Sequence, residues 1–125
     1  MTGQTPTPGK QVVKNFFTAL FSGKPSKAES TLKRIQKRYK LGENDPYYKA
    51  LYGIYYAYIS DDRDAFIFNL WNKYLGGEKK KNFKNEFKDL LEKAYDPPER
   101  FIRAWLDLID LLDSLPKPHK LKKSS

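Results

Sequence analysis

The chain has 125 residues, no cysteine, and 24 lysines and arginines against 15 aspartates and glutamates, which gives a net charge of +9. It therefore has no disulfide framework and no thiol chemistry, and no stretch approaches the roughly 18 consecutive apolar residues of a membrane-spanning helix. This length predicts a single domain, and so large an excess of positive charge favours an anionic partner, either a nucleic acid or an acidic protein.

The first nine residues combine Thr, Pro, Gly and Gln without hydrophobic periodicity, so we expect residues 1–9 to be disordered. They also lack the apolar region of a signal peptide, and a cytoplasmic protein without a membrane partner is the expectation. The absence of cysteine and the abundance of Lys, Glu and Tyr are typical of thermophilic proteins.

Residues 10–22 predict the first helix, because five apolar side chains recur on one face at helical spacing. These are Val13, Phe16, Phe17, Leu20 and Phe21. Gly23 predicts the end of this helix.

The segment after Pro25 predicts a second helix with a basic surface. It begins with residues 26–29, Ser-Lys-Ala-Glu, which is typical of a capping box. Its apolar line is narrow and consists of Ala28, Leu32, Ile35 and Tyr39. The other faces are basic, since Lys27, Arg34 and Arg38 form one stripe and Lys33, Lys37 and Lys40 another. Solvated surfaces usually mix both signs because like charges at i, i+4 repel, so this one-sided charge favours an anion-binding face over a merely solubilising one.

Two apolar helices joined by a polar turn are predicted next, over residues 46–59 and 62–75. Asp45-Pro46 is typical of a helix start, and Gly76-Gly77 of a helix end. In the first arm, Ala50, Gly53 and Ala57 form a strip of small side chains that we expect to permit the close approach of a neighbouring helix. Six tyrosines lie in this arm, and we expect most of them in the core or between helices, which leaves Tyr39 and Tyr95 as better candidates for stacking on bases.

Gly53, Tyr56 and Ala65 have the spacing of one tetratricopeptide (TPR) repeat, so residues 46–77 resemble a TPR helical hairpin. The resemblance implies that glycine and alanine mark the contact between the two helices. It departs from the family at Tyr52, Asn69 and Gly77, and no second copy follows.

A fifth helix is predicted at about residues 78–95, and a last helix follows Asp96-Pro97-Pro98. Along the last helix Asp107, Asp110 and Asp113 recur as a solvated face or as partners for basic side chains of the same fold. The predicted architecture is all-α, a compact bundle of about six helices in antiparallel hairpins, with one domain over residues 10–113 and a basic tail over residues 114–125.

The sequence contains no pattern that predicts an active site. The only histidine, His119, lies in the tail, which removes the usual nucleophile systems and zinc sites, and no phosphate-binding glycine loop follows a strand. We therefore expect neither an enzyme nor a bound cofactor or metal.

Two functions remain open. The first is a small RNA-binding or ribonucleoprotein-associated protein that contacts phosphates through its basic helix and its carboxyl-terminal arm, with RNA preferred over DNA. The second is a TPR-like adaptor that binds an acidic protein. The predicted nucleic-acid-binding residues are Lys27, Lys33, Arg34, Lys37, Arg38, Lys40, Lys117, Lys120, Lys122 and Lys123.

Overall fold

The computed structural model describes residues 7–95 and 98–121, and within these residues the chain folds into six α-helices without a strand. The helices are α1 (Lys10–Phe21), α2 (Pro25–Arg38), α3 (Pro46–Ile59), α4 (Phe66–Leu75), α5 (Lys80–Lys93) and α6 (Glu99–Leu111). Two short 3₁₀ turns follow, Leu112–Ser114 and His119–Leu121. The predicted all-α bundle of six helices is confirmed. Among the described helices, none is both long and apolar enough to cross a membrane.

The helix ends show which local signals determined the fold. The carboxylate of Asp45 accepts a hydrogen bond from the N–H of Tyr48 at 3.0 Å, so Asp45 caps α3 as predicted. Gly77 follows α4 with a left-handed φ of +108°, as expected at a helix end. The predicted capping box of α2 is wrong, because α2 begins at Pro25 and its N-cap, Lys24, makes no side-chain capping bond.

All six helices contribute to the core, and its largest fully buried side chains come from α1, α2, α3 and α4. α6 packs on α1, α3 and α5, and α3 contacts α6 more extensively than it contacts α4. The expected close approach at Gly53 is wrong, since a Cβ built on Gly53 would have no neighbouring atom within 4 Å. Ala65 lies just before α4 as its N-cap. The resemblance to a TPR repeat therefore stays a prediction without support from this contact.

A pair of polar contacts fixes the start of α3 against α6. The Tyr47 hydroxyl donates a hydrogen bond of 2.7 Å to the Asp107 carboxylate, and both side chains are buried. Next to it, Arg100 donates from two guanidinium nitrogens to Asp45, at 2.9 and 3.1 Å. Asp45 thus caps α3 and also binds Arg100 of α6. Asp107, predicted to lie on a solvated face, is instead in the interior.

Tyr47→Phe should lower the free energy of unfolding by about 2 kcal/mol, because it leaves the buried Asp107 carboxylate without its hydroxyl donor. Tyr55→Phe is the matched control, since Tyr55 is buried in the same helix and its hydroxyl has no hydrogen bond to the described residues. Urea denaturation of the two variants measures the difference. Equal losses of stability in the two variants would contradict the hydrogen bond assigned between Tyr47 and Asp107.

Asp107 should also make stability depend on pH. Burial raises the pKa of this carboxyl above its ordinary 3.8, and the hydrogen bond from Tyr47 only partly opposes the rise. The folded protein therefore binds this proton more tightly than the unfolded chain, so the contribution is present below pH 3.8 and is lost as the pH rises through the higher pKa of the folded state.

Asp107→Asn removes this contribution and keeps an oxygen that accepts the Tyr47 hydrogen bond. The stability of the variant relative to the native protein should therefore increase between about pH 3 and pH 7. Denaturant titrations of both proteins across this range give the difference. If the difference in stability between the variant and the native protein stays constant with pH, Asp107 titrates in the folded protein as it does in the unfolded chain.

Candidate nucleic-acid interface

The basic surface of the protein is built on α2. The apolar line Ala28, Leu32 and Ile35 is buried, and this turns the remaining faces of the helix outward. All six cations predicted for this part of the chain are exposed. They are Lys27, Lys33, Arg34, Lys37, Arg38 and Lys40. Tyr39, one of the two tyrosines expected to stack on bases, is half-buried, and its hydroxyl accepts a hydrogen bond from the N–H of Gly9 at 3.1 Å.

The acidic groups near the core are paired with cations from other helices. Asp110 accepts hydrogen bonds from Lys10 of α1, at 3.1 Å, and from Lys84 of α5, and Asp113 accepts one of 3.0 Å from Lys80. The predicted alternative, that these aspartates are partners for basic side chains of the same fold, is confirmed for both. Burial alone would raise the pKa of Asp110, but Lys84 and Lys10 hold this pKa below its ordinary value.

No cation of α2 takes part in an ion pair with any residue that the structure describes. Arg38 lies over the ring of Tyr39, with its guanidinium carbon 5.6 Å from the ring centre, and keeps its charge at the surface. The positive charge of α2 is thus uncompensated within the described part of the chain.

Both ends of α2 carry a lysine where another residue would be more favourable. Lys24 is the N-cap, a position where Ser, Asp or Asn typically contributes about 1 kcal/mol, and the first turn contains no acidic residue. After the helix, Lys40 adopts a left-handed φ of +54°, which suits glycine better than lysine. α2 itself ends at Arg38, shortly before Lys40. These two lysines add positive charge at the ends of α2 and lower the local stability of the helix.

A polar groove of about 310 Å³ runs along the seam between α1 and α2. Lys24, Lys27 and Arg34 line it from the side of α2. Polar side chains of α1 and of the turn after it form the opposite wall, namely Asn15, Thr18 and Ser22. Three cations beside amide and hydroxyl donors, near the positive amino-terminal end of a helix, form a groove that suits a phosphate group.

The residues of this second wall were missed in the sequence. Asn15, Thr18 and Ser22 recur at spacings of three and four residues, so they form a polar stripe along α1 that helical periodicity could have identified. Periodicity does not show which residues this stripe faces, because that depends on how α1 packs on α2. This packing places the stripe opposite Lys27 and Arg34.

The predicted carboxyl-terminal arm is only partly available to a ligand. Lys117 is exposed, and Lys122 and Lys123 lie outside the described residues. Lys120 is different, because its ammonium donates to the carbonyl oxygens of Tyr58 and Ile59, at 2.5 and 3.3 Å, at the end of α3. It thereby caps the negative end of that helix.

Other contacts hold the same part of the tail. Leu115 and Pro118 are buried, and the Tyr58 hydroxyl forms hydrogen bonds with Nδ1 of His119, at 2.9 Å, and with the backbone N–H of Lys120, at 3.1 Å. A Cβ on Gly23 would come within 3.0 Å of the His119 ring, so this approach requires glycine. The packed body thus extends through residue 121 rather than ending at residue 113. At the other terminus it includes Gly9, which was expected to be disordered, and residues 1–6 lie outside the described part.

A second surface, apolar in character, opens between α4, α5 and α6. It is a groove of about 350 Å³ lined by Phe66, Phe87, Leu90, Phe101, Trp105 and the side chain of Glu86. A smaller groove shares Phe66, Phe101 and Trp105 with it and reaches Gly53 and Ala57 of α3. Gly53 and Ala57 therefore border an open surface and not a closely packed helix, whereas Ala50 is buried in the core.

Comparisons with protein-family models, with curated proteins and with solved structures gave no match to this chain, so the geometry of the site carries the functional argument.

Lys120→Met should lower the free energy of unfolding by about 1 kcal/mol and increase amide hydrogen exchange at residues 115–121, because it removes the cap on α3. Lys117→Met is the control, since it removes the same charge from an exposed position of the tail. Native-state hydrogen exchange measures both. If the two variants exchange alike, Lys120 does not hold the tail.

Proposed function

We propose that the protein binds RNA by contacting the phosphate backbone with the exposed cations of α2 and of the groove between α1 and α2. One observation carries the proposal. The cations of α2 are exposed and unpaired, although Asp110 and Asp113 of the same fold bind lysines of other helices. Cations that neutralise phosphates release counterions from the nucleic acid, and this release favours binding.

The residues of this surface indicate contact with the backbone and not with base edges. Four of the six exposed cations are lysines, which act as point charges without the two-pronged geometry that arginine offers to guanine. Of the predicted arm, Lys117 is left to contribute together with Lys122 and Lys123, because Lys120 is held by α3. We propose RNA as the partner in preference to DNA.

A second candidate function is an adaptor that binds an acidic protein, as the resemblance to a TPR hairpin implies. The apolar groove between α4, α5 and α6 favours it, because Phe66, Leu90 and Phe101 are large and exposed there, between 39 and 56%. An acidic partner with an apolar side chain would complement this groove and the net charge. The two candidate functions differ in what dissociates the complex. Nuclease or salt should dissociate a complex with RNA, whereas substitution of Leu90 or Phe101 should dissociate a complex with a protein.

Reversing four charges of α2, with Lys33, Arg34, Lys37 and Arg38 each replaced by Glu, should weaken RNA binding at least about 100-fold. The logarithm of the native affinity should fall linearly with the logarithm of salt concentration, with a slope of about −3 if four phosphates are neutralised on a single strand. Fluorescence anisotropy with labelled RNA and with DNA of the same sequence measures both quantities.

The matched control replaces Lys73, Lys79, Lys81 and Lys88 by Glu. These lysines are exposed on or near α4 and α5, and none of them pairs with an acid of the described residues. Both variants have the same net charge, so total charge cannot explain a difference between them. Equal loss of binding in the two variants would show that the surface of α2 has no special role.

A further inference from the structure

A row of exposed tyrosines follows one flank of α3. Tyr48, Tyr52 and Tyr56 lie one helical turn apart, and Tyr52 and Tyr56 are 46 and 58% exposed. The ring centres are 6.1 Å apart between Tyr48 and Tyr52 and 6.4 Å apart between Tyr52 and Tyr56. The ring planes of Tyr52 and Tyr56 are within 17° of parallel. The row thus presents flat aromatic surface to solvent.

The core of the protein does not account for this row. The buried tyrosines of α3 are Tyr47, Tyr55 and Tyr58, and Tyr55 borders the row on its buried side. The prediction that packing would use most of the six tyrosines is therefore correct for only three of them, and the half-buried Tyr48 lies at the border. Of the two expected stacking candidates, Tyr95 is fully exposed and Tyr39 is half-buried.

The row borders the basic helix. α2 packs on α3, and the buried ring of Tyr55 has its centre 6.1 Å from that of Tyr52. Burial raises the pKa of Tyr55, and the charge of Glu29 of α2 adds to the rise. Lys33 follows Glu29 by one helical turn on the same flank of α2. Exposed cations and exposed aromatic rings therefore lie on two helices that pack against each other.

Cations beside exposed aromatic rings suit a nucleic acid whose bases are unpaired. Phosphates bind the cations, and each free base presents a flat face that stacks on a ring, whatever its sequence. In a duplex these faces are covered by neighbouring base pairs, so rings on the outside of a helix cannot reach them. Building on the RNA-binding function proposed above, we propose that Tyr52 and Tyr56 stack on unpaired bases and that the protein prefers single-stranded over double-stranded RNA.

The test uses the double variant Tyr52→Ala and Tyr56→Ala with a single-stranded RNA of about 12 nucleotides and with the duplex of the same length. Affinity for the single strand should fall about tenfold or more, and affinity for the duplex should change less than about twofold. The salt dependence of single-strand binding should keep its slope, because the same phosphates are neutralised. The variant Tyr52→Phe and Tyr56→Phe should bind like the native protein, because it keeps both rings.

Two controls separate stacking from other effects. Phe101→Ala removes a ring of α6 that is 39% exposed in the apolar groove, which no residue of α2 lines, and should leave both affinities unchanged. A sugar-phosphate oligomer of equal length without bases should bind the native protein and the double alanine variant equally. If the double alanine variant binds single-stranded RNA like the native protein, or loses single strand and duplex alike, the stacking role is wrong.

Failure of the stacking role and failure of the RNA-binding function give different results. If only stacking is wrong, the double alanine variant keeps native single-strand affinity, while reversal of the four charges of α2 still abolishes it. If the native protein binds neither RNA with a salt-dependent affinity, the proposed function itself is wrong, and the stacking role with it.

Discussion

The hydrogen bond from Tyr47 to Asp107 fixes the first turn of α3 on α6, and the positions of the functional surfaces follow from this contact. α2 packs on α3, and α1 packs on both α2 and α6. The tyrosine row and the smaller groove, which Gly53 and Ala57 border, lie along exposed parts of α3. A buried carboxylate is costly unless it is hydrogen-bonded, so the hydroxyl of Tyr47 is needed for α6 to tolerate Asp107 in the core.

The separation of charge between helices gives the protein its basic surface. Asp110 of α6 and Asp113 of the turn after it bind lysines of α1 and α5, whereas α2 has a single acid, Glu29. The net charge of +9 is therefore not spread evenly over the fold. Because phosphates respond to local potential, this separation matters more for the proposed binding of RNA than the total charge does.

Local signals in the sequence were sufficient for the number and order of the helices, but less so for their starts, since α4 begins at Phe66 and not at residue 62. They were insufficient for the packing of the helices on one another. Asp45-Pro46 and Gly76-Gly77 predicted the two ends of the central hairpin, and periodicity predicted which cations of α2 face outward. The contact of Tyr47 with Asp107 joins residues 60 positions apart, and no local pattern signals it. For the same reason the sequence did not show that Lys120 caps α3, or that Tyr52 and Tyr56 lie on the uncovered flank.

The lysines at both ends of α2 have a consequence for the helix itself. With Lys24 as an N-cap that makes no side-chain capping bond, Lys40 in a left-handed conformation, and like charges one turn apart between them, α2 is weakened by its own repulsion. Dissolved ions screen this repulsion within about 10 Å at 0.1 M, and they also compete with the protein for phosphates. Rising ionic strength therefore strengthens the folded helix while it weakens the proposed complex with RNA, so the stability of the free protein and its affinity for RNA change in opposite directions.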